Sequence, residues 1–152
     1  MAEILIAYPA LQGVVADLSS VVQAAKAGIQ ARGLDSRCRV VECDFFNEIP
    51  TGSDAYLMSH ILHDWDDEQC RIILNNFKQA MDPGSKLLIV EDIIPEGNAF
   101  SIGKLLDLEV FVMGGGRERT QAEFEELLET CGYRLSSIVP TQESISVIEC
   151  IA

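Results

Sequence analysis

The sequence predicts an α/β domain in which helices cover both faces of an open, mostly parallel sheet. Strand-like apolar runs alternate with helical patterns in the order β-α-β-β-α-β-α-α-β-β, which is typical of parallel sheets with helical crossovers. Several of these runs end in an acidic residue. The last two runs are joined by a short loop, so we expect them to pair as an antiparallel hairpin.

The composition is that of an acidic globular domain. The 152 residues suffice for one domain, 1–152, or for one domain that lacks a part. The net charge of −13 argues against nucleic acid and anionic membrane surfaces as partners. No apolar run approaches the roughly 20 residues of a membrane span. Five cysteines without a C-x-x-C pair favour reduced thiols and hence a cytoplasmic location.

The first fifty residues predict two helices and two strands. Pro9 ends a short first helix, while the second helix has Ser19 or Ser20 as a candidate N-cap and Gly33 at its end. One narrow face of the second helix carries Val21, Ala25, Gly28 and Ile29. The two strands are predicted over Gln12–Asp17 and Arg39–Cys43.

The middle of the chain predicts a capped helix between two strands. Asp66 is placed to cap this helix, with Asp67 and Glu68 in its first turn, where the helix dipole favours negative charge. Apolar residues recur at helical spacing along one face, namely Cys70, Ile73, Leu74, Phe77 and Met81. The flanking strands are predicted over Ala55–Met58 and Lys86–Glu91.

The last third of the chain predicts two helices and the hairpin. The apolar run Leu105–Met113 favours a helix that Gly114–Gly116 ends. Thr120 and Glu123 form the capping-box pattern of the second helix. Its inward residues are Phe124, Leu127 and Leu128. The hairpin strands are predicted over Tyr133–Val139 and Ser144–Ile151.

One stretch, His60–Glu68, is the first candidate for chemistry. It contains both histidines and the only tryptophan, and it follows directly on a predicted strand. Sites in α/β sheets form at the carboxyl ends of strands. His60 and His63 could share a helical face as metal ligands, but the stretch lacks a third ligand at a settled spacing. We therefore predict no metal, and a packing or capping role for His60.

Five motifs follow one another along the chain. They are Tyr8-Pro9-x-Leu11-x-Gly13-Val14-Val15-x-Asp17-Leu18, Asp44-Phe45-Phe46, His63-Asp64-Trp65-Asp66-Asp67-Glu68-Gln69-Cys70, Glu91, and Gly115-Gly116-Arg117-Glu118-Arg119-Thr120. In this order they resemble the S-adenosylmethionine-dependent O-methyltransferases, in the branch that includes caffeic acid, hydroxyindole and bacterial polyketide O-methyltransferases. The resemblance implies a Rossmann-like methyltransferase sheet of strand order 3-2-1-4-5-7-6, with S-adenosylmethionine as cofactor.

Two parts of the family pattern are absent from this sequence. The glycine-rich segment after the family's first strand would lie immediately before Met1, and the helical N-terminal dimerisation domain is also missing. The resemblance puts the missing first strand between Gln12–Asp17 and Ala55–Met58, which leaves two unpaired strand edges. We expect one of three outcomes: the two strands pair directly, a partner supplies the strand, or the chain is a fragment of a longer product.

The resemblance implies methyl transfer to the hydroxyl of a small aromatic acceptor, with His63 as general base. Glu91 and Glu118 match the family's catalytic acids that flank this histidine, much as the aspartate of a Ser-His-Asp triad does. From the residues alone, both glutamates could equally be surface acids. A phenol titrates at about pH 10 and an imidazole at about 6.5. The base must therefore take the proton as the methyl moves, or the site must lower the pKa of the phenol.

The resemblance also assigns binding residues. Asp17 ends a strand, where an acid commonly binds ribose hydroxyls; the alternative is an acid that caps the next helix. The residues expected against the cofactor are Asp17, Asp44, Phe45, Met58 and Ser59. Those expected near the acceptor are Asp64, Asp107, Val110 and Met113.

Two other interpretations stay open at this point. The chain could be a catalytically incompetent remnant that binds a protein partner through its open sheet edges. It could also be half of a split enzyme that a complementing N-terminal polypeptide completes. The same open edges could support self-association. Cofactor affinity separates the remnant from the enzyme.

Overall fold

The computed structural model describes residues 1–142 and 144–152, without the side chain of Met113. The chain divides into two compact units, Met1–Pro50 and Thr51–Ala152. Within the described residues, no helix is both long enough and apolar enough to cross a membrane.

The first unit is a small β-α-β element preceded by a short helix. Strands β1 (Gly13–Asp17) and β2 (Cys38–Glu42) pair in parallel, with Asp17 opposite Glu42. Helix α1 covers Ala2–Ala7 and helix α2 covers Ser19–Ala31. The buried cluster of this unit consists of Leu5, Ile29, Leu34 and Cys38, against which Ala2, Val15 and Val40 pack.

The start of helix α2 differs from the prediction. The N-cap is Leu18 and no side chain caps the helix, so Ser19 and Ser20 were wrong as caps. The backbone N–H of Leu18 instead donates to Asp17 Oδ1 at 2.8 Å. The predicted buried face was also wrong in part, because Val22 rather than Val21 is buried together with Ile29.

The end of helix α2 is as predicted. Gly33 has a φ of 66°, a left-handed conformation that glycine adopts without steric cost. Its N–H donates to the carbonyl of Gln30, and the N–H of Leu34 donates to that of Ile29. These two bonds satisfy carbonyls that the helix leaves open at its end.

The second unit is a four-stranded sheet with three α-helices. Its strands are β3 (Ala55–Ser59), β4 (Lys86–Asp92), β5 (Arg134–Pro140) and β6 (Ile145–Ile151), in the order β3-β4-β6-β5. Strands β3 and β4 are parallel, while β6 is antiparallel to both of its neighbours. The helices are α3 (Asp67–Ala80), α4 (Ile102–Gly114) and α5 (Gln121–Thr130). The antiparallel hairpin of β5 and β6 is thus confirmed.

The predicted caps of this unit are confirmed, and the predicted apolar face of α3 is confirmed except at Met81, which follows the end of the helix and is half-buried. Asp66 Oδ1 accepts the backbone N–H of Gln69 at 2.8 Å, and Thr120 and Glu123 form the capping box of α5. The face of α3 is buried at Cys70, Ile73, Leu74 and Phe77. Each such side chain contributes roughly 1.5–3 kcal/mol by leaving water. They lie in the core of this unit with buried strand residues such as Leu87, Ile89 and Ile148.

The strands do not form one continuous sheet. In the described part of the chain, β1 and β2 form one sheet and the other four strands form a second. Direct pairing of β1 with β3, the first of the three expected outcomes, was therefore wrong. Each parallel pair is connected through one crossover helix, α2 for β1 and β2 and α3 for β3 and β4.

Candidate active site

The polypeptide turns sharply where β3 ends. His60 has a φ of 52°, and its N–H donates to the carbonyl of Val90 at 3.1 Å, which extends the pairing of β3 with β4 by one residue. A single 3₁₀ turn follows over Leu62–Asp64, which we call the histidine turn. Leu62 is completely buried and anchors this turn in the core. His63 is consequently held at the carboxyl end of the parallel strands.

Glu91, near the end of β4, lies beneath the histidine turn. Its Oε1 accepts the backbone N–H groups of Ile61 and Leu62 at 2.8 and 2.9 Å. Its Oε2 lies 4.0 Å from His63 Nδ1 and has no hydrogen-bond partner in residues 1–142 and 144–152. Burial raises the pKa of Glu91, although His63 and the two backbone donors oppose that rise.

Glu118 approaches the same imidazole from the segment after α4. Its Oε1 lies 2.9 Å from His63 Nδ1, and its side chain is almost fully buried. Its backbone N–H donates to Oδ1 of Asp107 on α4 at 2.8 Å, which fixes this segment against the helix. The second oxygen, Oε2, is buried without a hydrogen-bond partner among the described residues.

The two carboxylates determine the chemistry of His63. A carboxylate only accepts hydrogen bonds, so Nδ1 carries the hydrogen and Nε2 is the basic nitrogen. The hydrogen bond to Glu118 raises the pKa of His63 against the opposing effect of burial, and the charge of Glu91 adds to the rise. The nearest acid to Nε2 is Asp64, with Oδ1 at 3.5 Å and an exposed side chain. The geometry is that of a general base oriented by a buried acid.

The sequence did not identify Gly116 as part of this site. A Cβ on Gly116 would lie 2.1 Å from the carbonyl oxygen of His63, which is an impossible contact. The same carbonyl accepts the N–H of Arg117 at 2.8 Å. The segment Gly114–Gly116 was predicted only to end a helix, which it does, because Gly115 adopts a left-handed φ of 80°. The close approach of two backbones has no signal in the local pattern.

Arg119 is a second residue whose role the sequence did not predict. Its guanidinium is buried, and donates to the carbonyls of Leu62 and Trp65 at 2.9 and 3.0 Å. It also donates from Nη2 to Asp67 Oδ1 at 2.7 Å and to Cys70 Sγ at 3.4 Å. One cation thus joins Leu62, at the start of the histidine turn, and Trp65, directly after it, to the first turn of α3. The only signal was its position in the motif after the glycines.

Comparison with known proteins identifies the family. A family model for the O-methyltransferase domain matches residues 1–134. The chain belongs to this O-methyltransferase family. A phenazine O-methyltransferase of Lysobacter antibioticus is 40% identical over 149 residues, which are 98% of this chain and 44% of that protein.

Two solved structures extend the comparison. A mitomycin 7-O-methyltransferase matches with a TM-score of 0.94 and 38% identity, over 99% of this chain and 44% of that one. An O-methyltransferase from neocarzinostatin biosynthesis, in complex with S-adenosylmethionine and 2-hydroxy-5-methyl naphthoic acid, matches with a TM-score of 0.90 and 32% identity, again over 99% and 44%. The chain therefore spans less than half the length of these O-methyltransferases.

Three of the expected cofactor residues lie in the first unit. Asp17 is the last residue of β1, and Asp44 lies two residues after the end of the paired strand β2. The two chain segments are joined there by a hydrogen bond from the N–H of Cys43 to the carbonyl of Asp17 at 2.9 Å. Asp44 accepts from the N–H of Phe46 at 3.0 Å and from the Asn47 amide at 2.8 Å. The ring of Phe45 lies 5.1 Å from that of Phe46, centroid to centroid. The structure thus brings Asp17 and Asp44 together at one edge.

The other residues that were expected near the cofactor or the acceptor lie in the second unit of this O-methyltransferase-family chain. Met58 is buried in β3, and Ser59 is exposed at the end of that strand. Asp107 and Val110 are half-buried on α4. The side chain of Met113 lies outside the described residues. Asp107 contacts the site through the backbone of Glu118, which makes it a support for that acid.

Proposed function

We propose that this chain carries the catalytic residues of an S-adenosylmethionine-dependent O-methyltransferase that acts on the hydroxyl of a small aromatic acceptor. The observation that carries the proposal is the hydrogen bond of His63 Nδ1 to buried Glu118, with a second buried carboxylate, that of Glu91, 4.0 Å from the same nitrogen. Family membership supports it. So does the neocarzinostatin relative, whose complex contains S-adenosylmethionine and a hydroxylated naphthoic acid.

His63 is the proposed general base. Bound S-adenosylmethionine supplies an electrophilic methyl on its sulfonium, and the products are a methyl ether and S-adenosylhomocysteine. Nε2 of His63 takes the hydroxyl proton while the oxygen–methyl bond forms. Moving that proton fully in advance costs roughly 4.8 kcal/mol at ordinary pKa values, so the raised pKa of His63 lowers this cost.

Glu118 and Glu91 are proposed as positioning residues that act through His63. Glu118 holds the hydrogen on Nδ1 and stabilises the imidazolium that forms. Glu91 adds a second buried negative charge 4.0 Å from the ring and fixes the histidine turn through its two backbone N–H groups. Because both carboxylates are buried, their attraction for the imidazolium is screened less than it would be in water.

The proposed cofactor contacts fit the polar and aromatic side chains present in each unit. Asp17 and Asp44 offer carboxylates at the ends of adjacent parallel strands, where nucleoside hydroxyls commonly bind, and Phe45 offers an aromatic ring to the adenine. In the second unit, Met58 and Ser59 at the end of β3 are proposed separately as cofactor contacts. The proposed acceptor residues are Asp64, Asp107, Val110 and Met113.

We further propose that residues 1–152 act as a single catalytic domain in the cytoplasm, once the strand between β1 and β3 is supplied. A further segment of chain or a complementing polypeptide would supply it. The division of the strands into two sheets and the match to less than half of each relative support this proposal.

The first test is a calorimetric titration of the full chain with S-adenosylhomocysteine. We expect binding with a Kd on the order of micromolar once a family N-terminal segment is added. Absence of binding, both by the chain alone and after addition of a family N-terminal segment, would contradict the proposal. It would instead favour a remnant that binds a protein partner through its open sheet edges.

The second test is methyl transfer from labelled S-adenosylmethionine to a panel of phenols. We expect His63→Ala to lower the rate by roughly 10²–10⁴-fold, because proton removal loses its base. Gln79→Ala, a change at an exposed position of α3, is the matched control and should retain the wild-type rate. A near-wild-type rate for His63→Ala would remove the histidine from the mechanism.

A further inference from the structure

The acid that orients His63 is itself held by a residue of helix α4. The backbone N–H of Glu118 donates to Oδ1 of Asp107 at 2.8 Å, and Oε1 of Glu118 lies 2.9 Å from His63 Nδ1. We propose that Asp107 is a positioning residue for methyl transfer, because it keeps the Glu118 carboxylate on Nδ1 of His63. This role rests on the proposed function and links the acceptor to the base, because α4 also carries the proposed acceptor residue Val110.

The segment that carries Glu118 is bound by three different elements. Arg117, directly before it, donates its N–H to the histidine turn at 2.8 Å, and the carbonyl of Arg119 after it accepts the N–H of Ile94 at 3.1 Å. Between these two bonds, the N–H of Glu118 is bound by the carboxylate of Asp107. The outer two bonds join backbone groups, whereas the middle one depends on the side chain at position 107. This side chain therefore decides how firmly the acid is held.

Helix α4 is fixed near both of its ends. Close to its start, Gly103 approaches the segment after β4 so closely that a Cβ would lie 2.9 Å from Cγ2 of Ile94. At its end, Gly115 adopts a left-handed φ of 80° and turns the chain back. The returning segment brings Glu118 beside Asp107, which lies about two helical turns before the end of α4. A helix held in this way is a firm support for the acid.

Four titratable groups face His63, and Glu118 affects it most. Glu118 and Glu91 lie 2.9 and 4.0 Å from Nδ1, and Asp64 lies 3.5 Å from Nε2. The ring of His60 lies 5.3 Å from that of His63, centroid to centroid. The hydrogen bond to Glu118 is the main cause of the raised pKa of His63, although burial opposes it. Loosening of the Glu118 segment should therefore lower this pKa.

The first test is a pH titration of the ring NMR signals of His63 in the full chain, which needs neither cofactor nor acceptor. The chain has two histidines, so the spectrum of His63→Ala assigns the signals. We expect Asp107→Ala to lower the pKa of His63. Asp107→Asn should keep the wild-type value, because the amide oxygen still accepts the N–H of Glu118. Glu109→Ala removes an exposed acid from the same helix and should also leave this pKa unchanged.

The second test is methyl transfer by the chain together with a family N-terminal segment. Asp107→Ala should lower kcat roughly tenfold with little change in the KM of the acceptor, and Asp107→Asn should restore most of the rate. The acidic limb of kcat should move to lower pH in Asp107→Ala, because a base of lower pKa stays unprotonated to lower pH. In a Glu118→Gln background, Asp107→Ala should have no further effect, since both act through the same acid.

Three results would overturn the inference. They are an unchanged pKa of His63 in a folded Asp107→Ala variant, an equal fall of that pKa in Asp107→Ala and Asp107→Asn, and a raised KM with an unchanged kcat. The second would assign the effect to the charge of Asp107, and the third would assign this residue to the acceptor alone. Absence of methyl transfer in the completed wild-type protein would contradict the proposed function, whereas the NMR titration would still decide whether Asp107 positions Glu118.

Discussion

At the scale of single residues, the site depends on buried charge beside a half-buried histidine. Glu91 and Glu118 each present one oxygen to a partner and keep the other buried without a hydrogen bond within the described residues. Leaving such an atom unsatisfied costs about 1–3 kcal/mol. Structures retain such groups at functional positions, where the strong field of an unsolvated carboxylate acts on a neighbouring group.

Replacement of Glu118 by glutamine should separate catalysis from binding. Glutamine keeps the shape and a hydrogen-bond acceptor but removes the charge that stabilises the imidazolium. We expect kcat to fall roughly 100-fold with little change in KM or melting temperature. Glu96→Gln, a change of an exposed acid in the loop before α4, should leave all three unchanged. An equal loss in both variants would contradict the positioning role.

The ion pair of Asp67 and Arg119 predicts a pH dependence of stability. Burial alone would raise the pKa of Asp67, but the hydrogen bonds and charge of Arg119 lower it below its ordinary value. The ionised form therefore stabilises the folded state above the unfolded pKa of about 3.9, and this stabilisation is lost as the pH falls through the lower folded value.

Thermal unfolding of Asp67→Asn checks this sign. The variant should melt below the wild type at pH 6, and the difference should shrink as the pH falls below about 4. Because the Asp67 side chain is 40% exposed, we expect a difference of only a few degrees. A difference that grows on acidification would show that the pair does not lower the pKa of Asp67.

At the scale of elements, the histidine turn is held by segments remote in sequence. The turn is only three residues long, and its own backbone bonds are few. The carboxylate of Glu91 binds it from one side, and the guanidinium of Arg119 binds its carbonyls from another. Gly116 lets a third segment pass against the carbonyl of His63. The position of His63, the proposed base, therefore depends on neighbouring elements.

The buried contacts of Arg119 with this segment can be tested by a variant and a matched control. Arg119→Met removes the charged donor from the carbonyls of Leu62 and Trp65, which keep only weaker contacts such as those from the Cys70 thiol, so we expect roughly 2–4 kcal/mol of destabilisation by chemical unfolding. Arg71→Met, at an exposed position of the same helix as Asp67, should cost less than about 0.5 kcal/mol. Equal losses of unfolding free energy in the two variants would contradict a stabilising role for the buried contacts of Arg119.

The variant Gly116→Ala should displace His63, the proposed base. Its Cβ would meet the backbone of His63 and Asp64, which no rotamer change relieves, so we expect roughly 1–3 kcal/mol of destabilisation and a large loss of methyl transfer. Gly114→Ala is the matched control, because a Cβ there has no atom within 4 Å. Loss of transfer in the control alone would contradict this assignment of the two glycines.

At the scale of the whole molecule, the strands fall into two sheets with edges that carry open hydrogen-bonding groups. Within the described residues, β1 pairs with β2 and β3 pairs with β4.

Addition of a family N-terminal segment should complete the cofactor site. S-adenosylhomocysteine at 100 times its Kd should then stabilise the completed protein against unfolding by about 2.7 kcal/mol. Scanning calorimetry with and without ligand measures this shift. Stabilisation without the segment would mean that the two units bind the ligand unaided.

Most of the helices and strands, and the family, were predictable from the residues alone. The amphipathic face of α3, the caps at Asp66 and Thr120 and the glycine ends at Gly33 and Gly115 depend on residues within about one helical turn, so local pattern predicts them. It failed at the start of α2, where an aspartate before the helix binds the N–H of Leu18 in place of a serine cap.

The assembly of the site depends on contacts between segments that are distant in the sequence. His63 and Glu118 are 55 residues apart in the chain, and Arg119 reaches Leu62 across 57. The same holds for Glu91, which accepts the backbone N–H groups of Ile61 and Leu62 from β4. Burial, close backbone approach and unsatisfied oxygens arise when distant segments pack, and no periodicity of a single segment encodes them.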